Sequence, residues 1–297
     1  MVYPPESPCG CGSKKPFGEC CLRDGEIKLT PKRSEPPLPG TGYCNKKCVL
    51  GWTHNCCAKI SGDHIVSASV LRVLNEQNIT ISSQSGSREH SIRSSALTVK
   101  KLCRRHNSAL SVIDAEAARL FKGFVSINAH LSEGTDGQRL YFFHGTDIEH
   151  WLLKTLLMVF YSKQSNITPD KFQLPRYAIS PFRYELDKPF GLYVPTQTNA
   201  NDLGRFQTEA TASVALITKG PLVCGVNVTL GGLPLTLLID GEGSDFVSLL
   251  KTHTYRPKNL LFFKNDQVFC IGFAFSNGSS SDIWFSHGDA NATLPSN

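Results

Sequence analysis

The chain predicts an α+β fold in three units: a small zinc knuckle over residues 1–25, a cysteine-rich module over 43–125, and a C-terminal α+β domain over 126–297 with a mainly antiparallel sheet. Three observations lead there. Nine of the eleven cysteines precede residue 104, a Pro/Gly-rich charged linker (26–42) interrupts them, and strand-like runs dominate after residue 189. A hydrophobic fraction of 40% with 19% charged residues is ordinary for a chain that buries a core. No apolar run approaches the ~20 residues needed to span a bilayer. The start, Met-Val-Tyr-Pro-Pro-Glu, has neither a basic region nor an apolar stretch, so no export, no membrane partner and a cytoplasmic location are expected. In that setting thiols read as metal ligands rather than disulfides.

Residues 8–22 carry Cys9, Cys11, Cys20 and Cys21 in the spacing C-x-C-x8-C-C. Four thiols so close in sequence can close a tetrahedral zinc site unaided. Gly10 and Gly12 permit the tight turn of the first pair, and Lys14 and Lys15 offset part of the charge of four thiolates. A unit this small cannot bury a core, so its folding should depend on metal. The following linker places four prolines within residues 31–39, which rules out a continuous helix or a central strand there.

The middle module adds Cys44, Cys48, Cys56 and Cys57, then Asp63-His64, then the metal-ligand pair Cys103-x-x-His106 followed by Asn107. Between them, Val70 to Leu74 reads as a short helix or strand, and the Ser-rich stretch 78–95 as an inserted loop or loose hairpin. Residues 107–125 predict a helix capped by Ser108 or Ser111, with Asp114 and Glu116 near its start and Gly123 near its end. Leu110, Ile113, Ala117, Leu120 and Phe121 would form its apolar face. Lys100, Lys101, Arg104 and Arg105 surround Cys103 and suit phosphate binding. Charge is uneven along the chain: residues 1–124 hold 18 Lys and Arg against 10 Asp and Glu, the rest 13 against 15, so the basic half is also the cysteine half.

Two resemblances follow from these residues. The stretch around Cys9, Cys11, Cys20 and Cys21, with its Gly-Ser and Phe17, is similar to the SEC-C zinc motif, an appendage that docks on a protein partner or nucleic acid or serves structure alone. Asp63-His64 with Cys103-x-x-His106-Asn107 and a helix resembles the HNH endonuclease family, which implies a ββα-metal module: a hairpin and a helix clasping one divalent ion. By that resemblance His64 is the general base, and Asp63 and Asn107 hold Mg²⁺ or Mn²⁺. Thr98 takes the place of the middle asparagine that orients the base. A structural zinc would be stapled by Cys103 and His106 with an earlier cysteine pair, Cys48 with Cys56 or Cys57, or else Cys44 with Cys48. The resemblance implies hydrolysis of phosphodiester bonds in nucleic acid, with DNA the expected substrate and phage defence or mobile elements the expected setting. The alternative is a non-catalytic zinc adaptor that binds nucleic acid or a protein.

Beyond the helix, Tyr141-Phe142-Phe143 predicts a strand, and Thr146-Asp147 the cap of an amphipathic helix reaching Tyr161. Strands are expected near 190–195, 212–218, 222–230, 233–239, 259–263, 267–275 and 283–286, with a hairpin turn at Asn265-Asp266. His144, Asp147 and His150 could ligate a metal but are expected to be a helix cap with exposed histidines. Asp240, Glu242 and Asp245 form an acidic loop. Cys224 and Cys270 lie in apolar runs and read as small buried hydrophobes.

Overall fold

The structure is a computed structural model that describes residues 4–32, 34–75, 78–83, 90–93, 96–135, 137–162, 171–174, 186–196, 212–241, 251–264, 267–276, 278 and 281–286. Its class is α+β, as expected. The N-terminal knuckle contains a one-turn helix α1 (Phe17–Cys20) and a two-residue ribbon of β1 (Leu22–Arg23) and β2 (Glu26–Ile27). Strand β3 (Ile60–His64) is followed by helix α2 (Ala68–Leu74), the antiparallel hairpin β4 (Asn78–Ser83) and β5 (His90–Arg93), and strand β6 (Thr98–Cys103). Helix α3 (Arg104–Glu133) starts directly after β6, and strand β7 (Leu140–His144) leads into helix α4 (Gly145–Phe160). The remainder is β8 (Gly191–Pro195), β9 (Ser213–Lys219), β10 (Leu222–Leu230), β11 (Leu233–Leu238), β12 (His253–Tyr255), β13 (Asn259–Lys264), β14 (Gln267–Ala274) and β15 (Ile283–Ser286).

Helix α3 is longer than its sequence predicts. It begins at Arg104 with Cys103 in the capping position and ends at Glu133, where Gly134 takes a left-handed φ of 69°. Its buried stripe continues past residue 125 through Ile127 and Leu131 at helical spacing. Gly123 sits inside the helix rather than at its end, because the Tyr141 ring lies 2.9 Å from where a Cβ would stand. Asp114 is accordingly well inside the helix. Helix α4 is buried along almost its whole length, which is the pattern of an interior helix. It lies against β8–β11 on one side and against α3 and β7 on the other.

Two larger sheets enclose these helices. One runs β12-β8-β11-β10-β9-β4-β5 and is antiparallel except where β4 pairs parallel with β9. The other runs β15-β13-β14-β7, and only β13–β14 is antiparallel. The expectation of a mainly antiparallel sheet therefore holds for the first and is corrected for the second. Lys264 pairs with Gln267, while the expected turn residues Asn265 and Asp266 lie outside the described residues.

The expected boundary between residues 125 and 126 falls inside α3, and strands from both sides of it share the seven-stranded sheet. One apolar core runs from Cys48 to Phe285. The stretch expected to be a Ser-rich insertion is what joins the halves: Thr80 to Ser83 of β4 align with Ser213 to Leu216 of β9. A buried bidentate pair, Arg256 on Glu149 at 2.8 and 2.9 Å, ties α4 to the end of β12.

Candidate metal centres

Two clusters of ligand atoms form among the described residues, each with its members within 4.8 Å of one another: Cys9, Cys11, Cys20 and Cys21, and Cys48, Cys56, Cys103 and His106. Four soft donors at such separations fit zinc, and either group could hold one ion. All eleven cysteines are free thiols, and Cys224 and Cys270 are buried as expected.

In the knuckle the chain turns tightly at Gly12, whose φ is 82°, with its N–H donated to the Cys9 carbonyl. Burial pushes the Cys9 thiol up to about 11 and that of Cys21 higher still. Burial opposes ionisation of Cys11 too, but the hydroxyl and N–H of Ser13 outweigh it and hold that thiol at about 6. Burial thus opposes ionisation of Cys9 and Cys21, a cost that a bound cation would offset.

The knuckle is docked rather than appended. Cys9, Phe17 and Cys21 bury against Leu140, Phe142, Leu261 and Cys270 on the outer face of the four-stranded sheet. The Gly10 carbonyl accepts from the Phe142 N–H at 2.8 Å and from Arg119 at 3.0 Å. A Cβ on Gly10 would meet the Leu140 carbonyl oxygen at 2.8 Å, so this approach requires glycine. Arg119 also stacks over the Phe143 ring at 3.9 Å.

The second centre gathers ligands from a loop, the end of β6 and the first turn of α3. His106 Nδ1 lies 3.2 Å from Cys103 Sγ, 3.6 Å from Cys48 Sγ and 3.7 Å from Cys56 Sγ. Its Nε2 lies 3.1 Å from Thr53 Oγ1. A proton on Nε2, donated to Thr53, leaves Nδ1 free to ligate. Burial, aided by Arg105, lowers the imidazole to about 4 and keeps it neutral. Burial pushes Cys48 up to about 12; it acts against Cys103 as well, but the N–H groups of His106 and Cys57 win and lower that thiol. Of the cysteine pairings left open by the sequence, Cys48 with Cys56 is the one brought to Cys103 and His106. Cys57 instead accepts the Arg105 N–H at 3.3 Å, and Cys44 is exposed.

Strands β3 and β6 form an antiparallel ribbon with Ile60 opposite Cys103 and His64 opposite Thr98, and an irregularity at Gly62. The residues expected to hold a hard cation are otherwise engaged. Asn107 Nδ2 donates to Ser61 Oγ at 2.8 Å. Asp63 is buried, with Oδ2 2.9 Å from Lys154 Nζ in an ion pair that is not an aligned hydrogen bond. Lys154, only 2% exposed, also donates to Asp114 at 2.6 and 2.9 Å. Ser67 donates to Asp114 in turn and accepts from Trp151 at 2.9 Å. Burial raises the Asp63 carboxyl; Lys154 opposes that and Asp114 adds to it. The sequence did carry a signal for Lys154: one cation inside the apolar run of α4 must be paired.

The four cations near Cys103 divide. Lys100 and Arg104 are exposed, whereas Lys101 lies over the Tyr161 ring at 5.5 Å. Arg105 donates to Asn55 Oδ1 at 2.9 Å and to the carbonyls of Pro37 and Pro39, so it clamps the linker while remaining half-buried. The expected cap at 146–147 is also corrected. Helix α4 starts at Gly145, and Asp147 accepts the backbone N–H of Lys32 at 2.9 and 3.1 Å. Burial pushes its carboxyl up to about 7. His144 is buried and His150 half-buried, not exposed. In the acidic loop, Asp240 Oδ1 accepts the Gly241 N–H, while Glu242 and Asp245 lie outside the described residues. No helix among the described residues is long and apolar enough to cross a membrane. Comparison with protein-family models, with curated proteins and with solved structures finds no match.

Proposed function

We propose that the chain is a metal-dependent endonuclease of the HNH type, acting on nucleic acid, with DNA the expected substrate. One observation carries the reading: Cys48, Cys56, Cys103 and His106 gather the loop ahead of β3, the end of β6 and the first turn of α3 around one point, and β3 pairs with β6 beside it. In that finger His64 faces Thr98 across the ribbon and Asn107 reaches β3 through Ser61. His64 takes the proton of the attacking water, held in place by the ribbon and Thr98. Asp63, with Oδ2 turned inward to Lys154, and Asn107 are the residues that would hold Mg²⁺ or Mn²⁺. Such an ion supplies positive charge for the phosphate as negative charge builds on it.

A second reading, a non-catalytic zinc adaptor, is favoured by the engagement of Asp63 with Lys154 and of Asn107 with Ser61. Plasmid nicking with added Mg²⁺ or Mn²⁺ separates the two. The enzyme reading expects the wild type to nick and His64→Ala to lose cutting by about a hundredfold or more with zinc content unchanged. Equal rates in both proteins, or none in the wild type, leave the adaptor.

A further inference from the structure

The zinc finger carries a surface that the proposed chemistry does not use. Residues 36–62 and 96–113 contain seven Lys and Arg and no Asp or Glu. Within the loop that leads into β3, Lys46, Lys47 and Lys59 are exposed, as are two aromatic residues, Tyr43 at 48% and Trp52 at 45%. Tryptophan is usually well buried, so a half-exposed one among cations calls for a partner.

The backbone of the loop is anchored on either side of both residues. The Tyr43 carbonyl accepts the Cys56 N–H at 2.9 Å, and Asn45 Nδ2 donates to the carbonyls of Cys57 and Ala58. Gly51 packs so closely on Asn45 that a Cβ would come within 2.7 Å of its carbonyl oxygen. Thr53, next to Trp52, contacts His106 of the metal centre. The backbone that carries the two aromatics is therefore held in place before binding, which lowers the ordering cost.

Resting on the nucleic-acid reading above, we infer that Tyr43 and Trp52 form a stacking platform for unpaired bases, so that the finger engages single-stranded nucleic acid in preference to duplex. Exposed rings stack on any base whose face is open, and lysines alongside follow the phosphates without reading sequence. In a duplex those base faces are already covered by their neighbours. A protein partner fits less well, because the cores of protein interfaces are depleted of lysine.

The test is fluorescence anisotropy on the full zinc-loaded chain in a His64→Ala background without added Mg²⁺ or Mn²⁺. The probes are a labelled oligothymidylate of about twenty nucleotides and a duplex of equal length. Tyr43→Ala/Trp52→Ala should weaken single-strand binding about tenfold or more and duplex binding less than about twofold. Tyr43→Phe/Trp52→Phe, which keeps the rings, should bind single strand like its parent, and zinc content should stay constant in all. Parallel losses on both probes, no loss on either, or binding of polyglutamate in place of both nucleic acids would overturn the platform. These outcomes are independent of plasmid nicking: nicking with no aromatic effect removes the platform alone, whereas neither nicking nor nucleic-acid binding removes both readings.

Discussion

The two candidate metal centres solve the same problem over different lengths of chain. The knuckle draws four thiols from residues 9–21, so its ligand set is local and its turn is set by glycine. The finger draws its ligands from residues 48–106, with Cys48 and His106 58 positions apart. The knuckle's cysteines bury in a small separate cluster on the outside of the four-stranded sheet, whereas Cys48, Cys56 and Cys103 belong to the main core. A local centre can be lost with its cover; a long-range centre that is part of the core cannot.

The largest expected difference tests that contrast directly. Cys103→Ser should lose one of two zinc ions together with the cooperative thermal transition, because structural zinc sites are worth about 10–16 kcal/mol against a total stability of about 5–15. Cys20→Ser should also lose one ion but keep the main transition. Metal analysis alongside calorimetry decides, and equal behaviour of the two variants would break the contrast. Next in size, Lys154→Met leaves the buried Asp63 and the half-buried Asp114 without their shared cation. A cost of about 3–5 kcal/mol in urea unfolding is expected. A change below about 1 kcal/mol would show that the network is not a support for the finger.

A smaller, pH-dependent effect lies on the knuckle side, where Asp147 secures the linker at Lys32. Its folded pKa of about 7 lies above the ordinary value of 3.8. The stability it lends is therefore complete below about pH 4 and lost as pH rises through about 7. Relative to Asp147→Asn, the wild type should lose up to about 4 kcal/mol between pH 4 and 8, read from denaturant midpoints. A difference that does not vary with pH would place the Asp147 titration elsewhere.

The same contrast explains what could be read in advance. Knuckle ligands were legible because spacing alone brings them together, and Cys103 with His106 because two intervening residues are the spacing of a metal-ligand pair. The choice of Cys56 over Cys57 was not legible, since both are equally near in sequence and only the folded chain turns Cys57 Sγ to the Arg105 N–H and the Lys59 carbonyl. Asp63 was read as a ligand from its neighbour His64, but its ion-pair partner lies 91 positions away on α4. Local signals likewise ended α3 at residue 125, just past Gly123, where Tyr141 supplies the packing that lets the helix continue. Strands could be recognised by composition, but not the pairing of β4 with β9 that makes one body of the expected two.

That pairing has a consequence for biosynthesis. Strand β4 cannot find its parallel neighbour until Ser213 to Leu216 have left the ribosome, about 130 residues later at about 5–20 residues per second. Throughout that interval one side of the β4–β5 ribbon is an open edge on a nascent chain, so a message truncated before residue 213 would yield a sticky fragment rather than a shorter working protein.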